Sequence, residues 1–135
     1  MNVGSRPGAQ GGAAVRELPS KEVKMEVLYK GIRTTEGGPQ CVWKEVPQSD
    51  GRRGQVALDP VPSQKIWNHS PDGFQWGYGG SGSAQLALAL LLDVTGDPEL
   101  SVRLHQIFKR HFVAAWGEKW QIWSDDIEAW IQENK

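Results

Sequence analysis

The chain has 135 residues, with 15 Lys and Arg against 16 Asp and Glu, three His, seven Trp and a single Cys. That length supports one domain with a substantial core and is short for two, and a formal charge of −1 excludes a polyelectrolyte that binds nucleic acid by charge alone. Lone Cys41 excludes an internal disulfide or a cysteine-based zinc site and fits a reducing, cytoplasmic setting. The longest apolar run, residues 86–92, falls far short of the roughly 20 residues that span a bilayer, and no charged-then-apolar secretion signal opens the chain. A soluble cytoplasmic protein without a membrane partner is expected.

Residues 1–22 hold four Gly, two Pro and three Ala, and all 12 aromatic residues lie from Tyr29 onward. So little apolar surface cannot offset ordering entropy, so this stretch reads as a disordered tail and residues 23–135 as the single folded domain. Met25 stands directly before the first strand pattern, which makes it an alternative translation start to Met1.

From Val23 to Tyr29, Val23, Met25, Val27 and Tyr29 alternate with Lys24, Glu26 and Leu28, the period of a half-buried strand. Residues 41–46 and 55–59 repeat a β-rich character on either side of a segment whose Asp50 and Gly51 suit a turn, so a hairpin follows. Pro60, Pro62 and Pro71 make residues 59–73 an extended connection, pinned to the sheet by Ile66 and Trp67. Residues 84–94 carry only Gln85 and Asp93 as polar positions, which predicts a helix apolar nearly all round and therefore central, ended by Gly96. Asp97 and Pro98 are a cap and a first-turn proline for a second helix running to about Trp116, with Leu100, Leu104, Ile107, Phe108, His111 and Ala115 as its buried stripe. After a short piece at Trp120–Trp123, Ser124 caps a third helix with Ile127, Trp130 and Ile131 inward. This order predicts an α+β domain: a small antiparallel sheet of three to four strands, then three C-terminal helices packed on one face.

The least ordinary segment is HSPDGFQWGYGGSGSAQLA, residues 69–87, with five glycines from Gly73 to Gly82. Its Trp76, Gly77, Tyr78, Gly79, Gly80, Ser81, Gly82 and Ser83 form the first candidate binding site. A glycine-rich turn that feeds a helix N-terminus offers unpaired amides and a positive dipole end to an anion or a nucleotide. Gly77, Gly79 and Gly82 match GxGxxG literally, yet the acidic residue of a dinucleotide fingerprint is replaced by Val102, and no lysine follows as in a Walker loop. The structural reading has the glycines fold Trp76 and Tyr78 under the sheet while Ser81 or Ser83 caps the buried helix.

The run HSPDGFQWGYGGSGSAQLALALLLD, followed by Phe108 and Phe112 in a helix and a tryptophan-bearing close, resembles a family of small uncharacterised proteins from bacteria and their phages, whose signature is HSPxGFxWGYGGSGPAQLALALL. The likeness spans about 25 residues closely and runs loosely from Val27 to Ile131. Ser83 stands where the signature has proline. The resemblance implies a bacterial or mobile-element origin and no particular activity.

The ionisable residues assemble no catalytic constellation and no cofactor is expected. His105 and His111 lie six apart, too far round a helix to share a metal, so no metal site is expected. His111 reads as a hydrogen-bonded core histidine, His69 as a turn residue and Cys41 as a small buried hydrophobe. Ser70 and Asp72 beside His69 only superficially resemble a triad, because a triad is geometry across a fold. Arg33, Trp43, Lys44, Arg52, Arg53, Lys65 and Trp67, in the sheet half, form the second candidate face, for a protein partner or for nucleic acid stacked on the tryptophans. Seven tryptophans exceed what such a core hides, so one or two should reach the surface, where Trp and Arg anchor interfaces. The expected function is a non-enzymatic module binding a protein or a second copy of itself, with nucleic-acid or anion binding as the alternative.

Overall fold

The computed structural model describes residues 26–34 and 38–135; the expected tail and the first half of the expected first strand lie outside them. The elements, in chain order, are β1 (Leu28–Ile32), β2 (Val42–Pro47), β3 (Arg53–Ala57), α1 (Val61–Ile66), α2 (Ser81–Thr95), α3 (Pro98–His111), a 3-10 turn (Val113–Ala115), β4 (Lys119–Trp123) and α4 (Ser124–Asn134). The fold is α+β, with a four-stranded antiparallel sheet in the order β3-β2-β1-β4.

The hairpin forms as the turn residues dictate. Gln48 N–H donates to the Arg52 carbonyl at 2.8 Å, Asp50 Oδ1 accepts from Arg52 N–H at 2.9 Å, and Gly51 takes φ 85°. One position away from expectation, the exposed Cys41 precedes β2 instead of being buried in it.

Two readings of the helices need correction, and the short piece after them takes a definite form. Residues 61–66 are helical, not extended: Pro60 is the cap and Pro62 falls in the first turn, where a missing N–H costs nothing, while Asp59 Oδ1 accepts from Val61 N–H at 3.0 Å. Helix α3 stops at His111 rather than near Trp116, because the chain breaks at Phe112 into a 3-10 turn that sinks Val113 fully into the core. The Trp120–Trp123 piece is the fourth strand: Trp120 and Ile122 face the core, and β4 pairs along the whole of β1, from Leu28 opposite Trp123 to Ile32 opposite Lys119.

Helix α2 is the centre. Every residue from Gly82 to Leu91 is buried, as its almost wholly apolar circumference requires, and the helix closes on Gly96 in the left-handed conformation. Asp97 caps α3, its carboxylate accepting from Leu100 N–H at 3.1 Å. Ser124 takes a different part from the expected cap: its Oγ accepts from Val27 N–H at 2.9 Å and its N–H donates to the Val27 carbonyl at 2.8 Å, joining the start of α4 to the end of the sheet. Tyr29, Val42, Trp120 and Ile122 from the sheet meet Leu86, Leu90, Phe108, Ile127, Trp130 and Ile131 from the helices in one core. A polar tie crosses it at the rim, where Asp93 of α2 accepts from the Tyr29 hydroxyl at 2.6 Å and from Lys44 Nζ at 2.8 Å. Burial, and then the Asp93 carboxylate, push the Tyr29 phenol well above its usual range, so it stays a donor.

Candidate functional site

The motif loop is built around one side chain from the helix that follows it. Gln85, fully buried on α2, accepts through Oε1 from His69 N–H at 2.7 Å and Ser70 N–H at 2.9 Å. Its Nε2 donates to Ser63 Oγ at 2.9 Å and to the Trp67 carbonyl at 3.2 Å. A polar residue inside an apolar helix is stable only with its hydrogen bonds met, and here they satisfy the backbone of the loop before α2. That is the physical content of the HisSerPro…Gln pattern.

Further along, Trp76 is buried, donates from Nε1 to the Gly117 carbonyl at 2.8 Å and stands edge-on to Trp120. Arg33 lies over its ring at 5.1 Å and donates to its carbonyl at 3.1 Å. Tyr78 points outward and is 51% exposed, so only Trp76 of the two expected aromatics is folded under. Besides Gly73, whose φ is 127°, the demand for glycine is clearest at two places. Gly77 has φ 89° and a Cβ there would stand 3.0 Å from the Trp116 carbonyl; at Gly82 a Cβ would stand 2.6 Å from that of Gln75. Gly79 faces open space, and at Gly80 a Cβ meets only the exposed Tyr78 ring. Gly80 precedes α2 with no side-chain cap, so neither Ser81 nor Ser83 fills that role; Ser83 Oγ is buried without a partner. The neighbouring cation, Lys109 Nζ, donates to the Gly79 carbonyl at 3.1 Å.

The second candidate set does not stay together. Trp43 and Arg53 share the sheet face turned away from the helices with Lys30, Gln55, Ala57, Lys119 and Gln121, as the register dictates. Trp43 is 36% exposed there, and Ile32, at the end of β1, 54%. Lys30 Nζ lies 2.5 Å from a Glu45 oxygen, and Arg53 Nε lies 3.7 Å from the other while its guanidinium covers the Trp123 ring at 5.4 Å. Lys44 points to the opposite face, onto Asp93; Arg52 belongs to the exposed hairpin turn, Lys65 to α1, and Arg33 to the Trp76 contact. Trp67 lies away from the sheet, beyond α1.

Trp67 belongs to a cluster that sequence reasoning missed. Its ring stacks on His69 at 4.5 Å and 24° and meets His105 edge-on at 5.4 Å, and the two histidines approach Nε2 to Nε2 at 2.9 Å. His105 is fully buried, whereas His111 is exposed and accepts from Trp130 Nε1–H at 2.9 Å. Burial first holds both histidines of the pair below the ordinary imidazole range; the charges of His105 and Lys109 add to it at His69, while at His105 the Val102 carbonyl opposes it and Lys109 adds to it. The buried face of α3 is Ser101, Leu104, His105 and Phe108, so the helix is rotated from the expected stripe. Among the described residues, no three His, Cys, Asp or Glu side chains are grouped to hold a metal ion, and no helix is long and apolar enough to cross a membrane.

These parts define an α+β fold with a motif loop tied to its central helix and one sheet face turned outward. The chain belongs to the family of unknown function DUF6166, which matches residues 29–133. Among curated proteins and among solved structures, nothing matches it.

Proposed function

We propose that this chain is a non-enzymatic binding module that takes an acidic segment of another protein on the outward face of its sheet. The observation that supports this reading is the exposed Trp43 in the middle of that face, between Lys30 of β1 and Ala57 of β3, with Arg53 and Lys119 further out. An exposed tryptophan with a cation beside it is the kind of anchor an interface hot spot uses. Three cations against Glu45 argue for an acidic partner and against self-association through this face, since a two-fold interface would set the same positive patch against itself. Glu45 engages both Lys30 and Arg53, so the net positive charge of the face is small: enough to orient a short acidic segment, and less than a polyanionic backbone calls for. The setting we propose is the cytoplasm of a bacterial or phage-infected cell, on the lone cysteine and the HSPDGFQWGYGG segment.

The test pairs Trp43→Ala and Lys119→Glu with the wild-type chain. An acidic, aromatic-containing peptide library should be bound by the wild type and lost in both variants at unchanged thermal stability. Salt-sensitive shifts of short oligonucleotides that both variants abolish would replace this reading with nucleic-acid binding, and a phosphate or nucleotide thermal shift that survives in both would move the site to the glycine loop.

A further inference from the structure

The Trp67, His69 and His105 cluster has a proton inventory that its geometry fixes. His105 Nδ1 lies 2.6 Å from the Val102 carbonyl, which can only accept, so this nitrogen carries a proton and the lone pair of the neutral ring sits on Nε2. That lone pair faces His69 Nε2 at 2.9 Å, so His69 is the donor of the pair and its own lone pair is on Nδ1. One added proton can be taken at His69 Nδ1 without breaking the N–H to N bond, although burial of the ring makes that step less favourable than in water. A second proton has only His105 Nε2 to go to, where it sets two N–H groups head to head across the same short gap.

We propose that Trp67, His69 and His105 form an acid-operated latch, which holds the loop of residues 67–70 on α3 until both imidazoles are charged and then lets it go. The charged groups facing the pair are the two rings and Lys109, one turn further along α3, which adds to the repulsion. Helix α2 faces the loop with neutral Gln85, and α1 with neutral Ser63. The sign follows from the lowered affinity of both rings for protons. The ordinary value is 6.5, so above it the closed state has its full advantage. Below it the released loop binds more protons, and each ring weakens closure by up to tenfold per pH unit until the closed state also titrates. Release frees the Trp67 ring, already 47% exposed, from its stack.

The experiment is a ring-nitrogen NMR titration of the full chain from pH 8 to 4, with amide exchange followed at Ser70 and in β1. The expected result is an Nδ1–H tautomer for His105 at pH 8, two separated protonation steps below 6.5, and loss of protection at Ser70 with the second step while β1 stays protected. In His69→Gln the amide can donate to a neutral His105 or, flipped, accept from a charged one, so the acid-triggered loss at Ser70 should vanish. Two independent titrations near 6.5 with Ser70 protection unchanged would overturn the latch, as would an unaltered acid response in His69→Gln. The ring titration needs no variant, so a poorly folding substitution does not remove the test.

Discussion

Replacing Gln85 with leucine tests the claim that the motif loop is held from inside the central helix. Four hydrogen bonds are lost, two from Oε1 and two from Nε2, and at about 1 kcal/mol each they contribute roughly 4 kcal/mol. The four former partners do not suffer equally. His69 N–H also reaches the Trp67 carbonyl at 3.1 Å, and Ser63 Oγ also donates to the Pro60 carbonyl at 2.8 Å, whereas Ser70 N–H has no second partner of this kind and adds about 1–2 kcal/mol as an orphaned donor. The more apolar leucine returns about 1–2 kcal/mol, so Gln85→Leu should cost roughly 3–5 kcal/mol. For a domain of this size that lowers Tm by roughly 12–25 °C. Urea unfolding at constant m-value measures it, and amide exchange at Ser70 locates it. A variant within about 1 kcal/mol of wild type, with Ser70 still protected, would refute the tie.

Other substitutions separate the glycines and the buried hydroxyl. Gly77→Ala should cost at least about 1–2 kcal/mol in chemical denaturation, because φ 89° and the Trp116 carbonyl both oppose a Cβ, while Gly79→Ala, which meets open space, should stay within about 0.5 kcal/mol. Ser83→Ala should leave stability unchanged or raise it by up to about 1 kcal/mol, since the hydroxyl is buried without a partner; a clear loss would reveal a hydrogen bond there. Leu88→Asp places a charge where nothing reaches it and should unfold the domain outright by circular dichroism; a folded, monomeric variant would move α2 to the surface.

The parts of the fold legible in the sequence are those specified by neighbouring residues. Asp97-Pro98 opens α3, Gly96 closes α2, and Asp50-Gly51 turns the hairpin, because caps and turns are satisfied within a few positions. What escaped depends on partners far along the chain. The strand of Trp120 and Ile122 alternates correctly but is only five residues long, and only β1 makes it a strand. His111 looked internal because it continues the stripe from Leu100, Leu104 and Phe108. Helix α3 turns instead on Ser101, whose Oγ lies 3.2 Å from Thr95 Oγ1, and on His105, whose partner His69 is 36 residues away. Polar residues can occupy a buried face when their hydrogen bonds are supplied by another element, and no periodicity rule registers that supply. The candidate surface was half legible for the same reason: Trp43 and Arg53 share a face by strand alternation, but Lys44, between them in the hairpin count, necessarily points the other way.

The late arrival of β4 has a consequence for how the polypeptide matures. β1 sits inside the sheet, yet its second neighbour lies roughly 90 residues downstream, so closing that pair means bringing together nearly the whole length of the domain. On a ribosome, the hairpin and β1 can pair early, and α2 and α3 can coil as they emerge. Until residue 123 is clear of the exit tunnel, β1 remains a bare edge able to recruit a neighbouring nascent chain. Helix α4, which emerges directly after β4, then sets Trp130 and Ile131 into the core. The arrival of β4 thus determines when β1 becomes safe, and slow translation across residues 100–118 would lengthen the interval in which polysomes carrying this chain are open to entanglement.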